Sequence, residues 1–196
     1  MGRGCNCIRL GISGGSLVGG IGTGVKTAEE AAAAARAAAA AKAAEEANKA
    51  IRIGENVENH LVKVEGYSQK YGVSGGHNLD EFMKTVNEKS IKIVQETPHY
   101  DIPGIAQIEY QVPSLDRALQ PTGEYKATIF KKTVYDSSII SDAKMAEWGK
   151  QAAAEAMNAG RINGTTWEGY AQNGLKFVGY LDENGAVKNF YPTLSK

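Results

Sequence analysis

From Thr27 to about Ile53 the chain consists almost wholly of Ala, Glu, Lys and Arg. Alanine is the best helix former, and nothing in the run interrupts it. Thr27, with Glu29 and Glu30 behind it, supplies a side-chain oxygen for the free N–H groups of a first turn and negative charge for the positive end of the helix dipole. A long single helix is expected. Few of its side chains are large and apolar, so it has little to bury and reads as a spacer. The fold is thereby restricted: a hydrophobic core has to come from the residues after this run, because those before it, Met1 to Lys26, are rich in Gly and small side chains.

Residues 1–26 read as a flexible or membrane-tropic segment. LGISGGSLVGGIGTGV is uncharged, yet short for a membrane span and too rich in glycine for a stable helix. Cys5, Cys7 and Arg9 precede it and no A-x-A-type site closes it, which argues against a cleavable signal. It holds neither G-x-G-x-x-G after a strand nor a terminal G-K-[ST], so a nucleotide-binding loop is not expected. The two cysteines sit in one Cys-Asn-Cys step. A disulfide-stapled fold is excluded, and two free thiols are expected.

Three zones result: the Gly-rich segment 1–26, the Ala-rich linker helix with a boundary region at 27–60, and a folded domain at 61–196. The 196 residues allow one domain with a sizeable core plus an extension. Formal net charge is zero, and acids and bases also balance from Leu61 onward. Nucleic-acid-binding proteins are more usually basic, so any attraction for phosphate has to come from a local group of lysines.

Within the third zone, Asn78 is placed to cap a helix with Leu79, Phe82, Met83 and Val86 on one face. Residues 105–112 alternate like a strand, and after Gly123 a β-rich run is expected from Tyr125 to Tyr135. Ser141 or Asp142 starts a second helix whose apolar stripe is Met145, Trp148, Ala152 and Ala156, and Gly160 ends it. GLKFVGYL then leads through Asp182-Glu183-Asn184-Gly185 into AVKNFYP. Asn-Gly between two alternating runs is a strong hairpin signal. The expected fold class is α+β: helices packed on a mainly antiparallel sheet with a C-terminal hairpin, preceded by the long Ala-rich helix.

Chemistry centres on three histidines, His60, His77 and His99, because imidazole exchanges protons near neutral pH. His77 follows Gly75-Gly76 just ahead of a helix start, where glycines would let a ligand approach the backbone and free N–H groups would face an anion. On the last strand, alternation puts Asn189 and Tyr191 on one face and Lys188 and Phe190 on the other. With Phe190 buried, Asn189 and Tyr191 line a cleft where a ring stacks on a base and an amide reads its edge. Lys131-Lys132-Thr133 on the β-rich run offers a cation for a phosphorane. RNA transesterification needs a base for the 2′-OH, an acid for the leaving 5′-oxygen and a cation for the phosphate. Two histidines and a lysine supply these without a metal or other cofactor.

GGHNLDEF resembles the Gly-Gly-His helix start of EndoU-type endoribonucleases. KKTVYD with the helix behind it resembles the family's lysine-bearing strand, and NGAVKNFYP resembles its closing hairpin. The similarity runs from about His60 to Pro192. It implies His77 and Lys132 as catalytic residues, Tyr191 as the tyrosine that stacks on the nucleotide, and His60 as the second histidine, with His99 as the alternative. Asn189 stands where the family has Thr or Ser. Asn189, Thr133 and Lys176 are the residues expected to bind substrate. ENVENH at residues 55–60 is similar to the Val-Glu-Asn-Asn boundary preceding toxin tips of contact-dependent growth-inhibition proteins, so His60 has a competing reading as a boundary residue. The resemblances imply a barnase/EndoU/colicin-type nuclease fold acting on RNA, with tRNA as the expected substrate. They also imply a cognate immunity protein and delivery of a secreted or cell-surface effector to the target-cell cytoplasm. The alternative is a non-catalytic protein-binding or adhesion module, which the neutral charge favours. A zinc deaminase would need H-x-E with C-x-x-C, and neither is present.

Overall fold

The computed structural model describes residues 29–39, 42 and 51–194. The chain divides into two units, Met1–Ala43 and Ala44–Lys196. In the first, residues 29–39 and 42 are helical and exposed. The remainder of the expected Ala-rich helix and the Gly-rich segment 1–26 lie outside the described residues.

The second unit is α+β. Helix α1 (Val57–Val62) leads into the hairpin β1 (Val64–Ser68) and β2 (Gly72–Gly75), followed by α2 (Leu79–Glu88). Strands β3 (Lys92–Pro98), β4 (Ile105–Gln111) and β7 (Phe130–Tyr135) form a three-stranded sheet in that order. A small hairpin, β5 (Pro113–Leu115) and β6 (Pro121–Tyr125), intervenes between β4 and β7. Helix α3 (Asp142–Asn158) precedes β8 (Ile162–Asn163), β9 (Thr166–Tyr170), β10 (Lys176–Leu181) and β11 (Val187–Thr193), which pair in the order β11-β10-β9-β8.

All these strand pairs are antiparallel, but they form four sheets where one was expected. The β-rich run from Tyr125 to Tyr135 is split because its ends have different partners. Tyr125 pairs with Pro113 in the small hairpin, whereas Phe130 pairs with Tyr110 of β4. Gly123, at φ +87°, lies inside β6.

Two hydrophobic cores result. The first joins α1 and α3 to the C-terminal sheet through Val57, Leu61, Met145, Trp167, Phe177 and Phe190, all fully buried. The second lies between α2 and the three-stranded sheet, around Phe82, Ile108, Tyr110 and Val112. Because Val57 and Leu61 are core residues, α1 spans the expected domain start at residue 61. The caps act locally as the sequence suggested. Asn78 Oδ1 accepts the N–H groups of Asp80 and Glu81, and Ser141 Oγ accepts that of Lys144.

The α3 stripe is buried at Met145, Ala152 and Ala156, while Trp148 is only partly covered. Small residues let this helix lie close on the sheet. An added methyl at Gly149 would collide with the Phe190 ring, and one at Gly169 with the backbone carbonyl of Ala152. Gly169→Ala is therefore expected to destabilise the fold by about 1–3 kcal/mol. A urea titration checks this: the midpoint should fall with an unchanged slope, and an unchanged midpoint would show that the helix lifts off the sheet at no cost.

Candidate active site

His77 is held by its backbone between two elements. Its N–H donates to Leu61 O of α1 (2.7 Å), and its carbonyl accepts the N–H of Tyr135 at the end of β7 (2.8 Å). Gly76 N–H donates to His60 O (3.0 Å), which brings α1 against the same segment. The two glycines before His77 serve this packing, and Gly75 also lines the cleft. Both adopt positive φ, and side chains there would strike Lys63 O and Val64. The α2 N-terminus is not open to an anion at Asp80 and Glu81, since Asn78 already takes those N–H groups. Asn78 Nδ2 and Tyr135 Oη both donate to Asp142 Oδ1, at 2.9 and 2.6 Å. This shared carboxylate locks the starts of α2 and α3 to the end of β7, directly behind His77.

His77 Nδ1 lies 2.7 Å from Thr133 O. A carbonyl only accepts, so Nδ1 carries the hydrogen and Nε2 is left with its lone pair. Burial holds the His77 pKa well below the usual histidine value, and the nearby Lys132 ammonium lowers it further. His60 Nδ1 lies 2.6 Å from Glu65 Oε2, so a hydrogen also sits on Nδ1 and this bond leaves Nε2 free. Glu65 Oε1 accepts from Asn56 Nδ2 at 3.0 Å, which fixes the carboxylate. The two imidazoles are 5.8 Å apart, centroid to centroid, and tilted by 44°.

Lys132 is 6% exposed, and its ammonium donates to Val73 O at 3.4 Å. Desolvation lowers its pKa from 10.5 to about 8, opposed by the attraction of Glu65. Tyr191 lies parallel to His77, with 5.3 Å between centroids and 4° between planes. Burial first, then the charge and hydroxyl of neighbouring Tyr180, push the Tyr191 phenol up to about 12, so it stays protonated. Asn189 pairs across the hairpin with Tyr180, and its buried Oδ1 takes no hydrogen bond from any described residue.

His60, His77, Lys132, Thr133, Asn189 and Tyr191 thus line one cleft. The structure does not bring His99 or Lys176 to it. His99 accepts the N–H groups of Asp101 and Ile102 and stacks on Tyr100. Lys176 pairs with Glu168 at 2.8 Å. Glu65, Tyr180 and Tyr71, which also bear on the cleft or line it, were not singled out in the sequence. Tyr180 comes opposite Asn189 only through an irregularity in the hairpin between Tyr180 and Leu181.

Two imidazoles, a buried ammonium and a tyrosine in one cleft on an α+β scaffold make a site equipped for acid–base chemistry. Residues 54–194 match the bacterial EndoU nucleases, and the chain belongs to that family. It is 41% identical over 141 residues to the tRNA nuclease CdiA of Escherichia coli strain STEC_O31, and 38% identical over 134 residues to the tRNA nuclease CdiA of Yersinia mollaretii. These matches take in 70% and 68% of this chain but only 4% of either relative.

Proposed function

We propose that this chain is a toxin endoribonuclease that cuts tRNA without a metal, leaving a 2′,3′-cyclic phosphate and a 5′-hydroxyl. The observation that carries this reading is the meeting of His77, His60 and Lys132 in one cleft. Neutral His77 accepts the proton of a ribose 2′-OH at Nε2, and the 2′-oxygen attacks phosphorus. Lys132 offsets the charge that builds on the phosphorane. The P–O5′ bond then breaks, and the imidazolium of His60 gives its proton to the 5′-oxygen. Glu65 orients His60 through Nδ1 and balances the positive charge before that transfer. Tyr191 and Asn189 face the base, with Asn189 Oδ1 available to a base N–H, and Thr133 flanks the phosphate. Lys176, on the same face of β10 as Tyr180, meets only RNA that extends past the cleft.

The choice of tRNA is supported by the names of the two CdiA relatives. The resemblance of residues 55–60 to the boundary before toxin tips of contact-dependent growth-inhibition proteins supports a role in competition between bacteria, with delivery into the target-cell cytoplasm and a cognate immunity protein covering the cleft in the producing cell. The chemistry is tested by incubating the purified chain with total tRNA, with and without a chelator, and mapping the ends of the fragments. Cyclic phosphate ends unaffected by chelation are expected. Cleavage that stops on chelation, or 3′ ends without a cyclic phosphate, would overturn the mechanism. A pull-down from producing cells should recover a small partner that abolishes cleavage, and its absence would remove the immunity protein from the reading.

A further inference from the structure

We infer that the turn between β1 and β2 carries a second aromatic platform, Tyr71, which stacks a single-stranded RNA nucleotide lying outside the two joined by the bond being cut. The inference rests on the nuclease reading above. Tyr71 lines the same cleft as His77 and Lys132, but comes from the β1–β2 side, whereas Tyr180 and Tyr191 come from the C-terminal sheet. It is 72% exposed. A lone exposed aromatic is ordinary on a protein surface, and what sets this one apart is how firmly it is presented.

The Tyr71 N–H donates to Ser68 Oγ at 3.0 Å, which closes the turn. Lys126, beyond the β5–β6 hairpin, donates its ammonium to Gln69 O at 2.9 Å and ties the turn to the rest of the domain. Gly72, at φ +70°, packs so closely that an added Cβ would run into Tyr110 Oη, and that same hydroxyl accepts the Val73 N–H at 2.9 Å. The ring therefore stands on a fixed support, at little entropic cost for binding. Lys70 places its ammonium over one face of the ring, 4.8 Å from the centroid, so a base stacks on the other face with that cation within reach of its phosphate. Lys131, also at the cleft, has its charge matched by Glu109 at 2.8 Å.

The scissile bond joins two nucleotides, and Asn189 and Tyr191 address the base of one. The neighbouring strand has to leave the cleft along a wall, and the β1–β2 wall provides a π-face with adjacent positive charge. That combination holds single-stranded nucleic acid without regard to base, because every base has a stacking face.

The test uses the full chain with Tyr71→Ala and Tyr71→Phe, and two RNAs: a dinucleotide carrying the bond that is cut, and a stem-loop with that bond in its loop. For Tyr71→Ala, kcat/KM on the stem-loop is expected to fall about tenfold, through KM, with the dinucleotide unaffected and Tyr71→Phe restoring the loss. Binding of the stem-loop with 2′-O-methyl groups throughout its loop, which cannot be cut, should weaken by the same factor. Equal losses on both substrates, or unchanged binding of the methylated stem-loop, would overturn the platform. If the wild type cuts neither RNA, the nuclease reading fails and the binding measurement alone decides Tyr71. If it does not bind the stem-loop, both fail.

Discussion

His77→Ala is expected to lower the rate of tRNA cleavage about 10²- to 10⁴-fold, the usual contribution of a positioned general base. The loss should fall on kcat, because the base and phosphate contacts proposed for Asn189, Tyr191 and Lys132 do not involve His77. His77 is buried and its Nδ1–H is spent on Thr133 O, so the variant also leaves a carbonyl short of a donor. His77→Gln serves as the control that keeps bulk and a donor while lacking a base. Both should fold, and both should be inactive. Undiminished cleavage by either would remove His77 from the mechanism. The same residue gives a pH signature. Its folded-state pKa is depressed below 6.5, so the unfolded chain binds protons more readily than the folded one. The stability it contributes is whole above about pH 6.5 and is lost as pH falls towards the depressed value. Urea midpoints followed from neutral to mildly acid pH should therefore fall less steeply for His77→Gln than for the wild type.

Why His77 was legible in the sequence and Glu65 was not is a matter of range. The features read correctly are local. The Asn78 cap acts within one helical turn. The hairpin at Asp182–Gly185 closes through Asp182 and Ala186, with Gly185 at φ +74°. Alternation sends Phe190 to the core and Asn189 and Tyr191 to the cleft. Alternation then failed two residues earlier. Leu181 pairs with Val187 whereas Tyr180 pairs with Asn189, so Lys188 is an extra residue. This bulge turns Val187 into the core and leaves Lys188 exposed. Nothing in the sequence marks that position.

The sequence offered His60 as the second histidine with His99 as the alternative, and of the two His60 lines the cleft. It is held there by Gly76 N–H bonding His60 O, a contact between segments that no periodicity announces. The glycines before His77 have a second reason that the sequence does not show, because their positive φ and their packing on Lys63 and Val64 exist only once α1 is docked.

Lys132→Met is expected to do two opposite things: abolish most cleavage and make the protein more stable. Lys132 sits in the strand facing Ile108 and beside Val73, where a hydrophobic side chain would suit the second core. Its pKa is lowered from 10.5 to about 8, chiefly by burial. A depression of that size corresponds to about 3 kcal/mol of preference against the ammonium. Above pH 10.5 the lysine is neutral in both folded and unfolded states, and no penalty exists. The penalty develops as pH falls from 10.5 to about 8 and is complete below that. At neutral pH the wild type carries all of it. Methionine has similar length and no charge, and removing the ammonium forfeits only a long hydrogen bond to Val73 O and an attraction to Glu65, which keeps its bonds to His60 and Asn56. A net gain of about 1–3 kcal/mol at neutral pH follows, and it should shrink as pH is raised through 8 and vanish near 10.5. Cleavage should meanwhile drop about 10²- to 10³-fold, as when one donor to a developing oxyanion is lost. For the wild type, kcat/KM should decline above about pH 8 as Lys132 gives up its proton, whereas Lys132→Arg should hold whatever activity it has at that pH. Thermal melts and cleavage rates across this range decide the matter. A methionine variant that melts below the wild type at neutral pH, or one that still cuts at the wild-type rate, would show that the buried ammonium is an ordinary part of the fold rather than a charge kept there, against stability, to meet a phosphate.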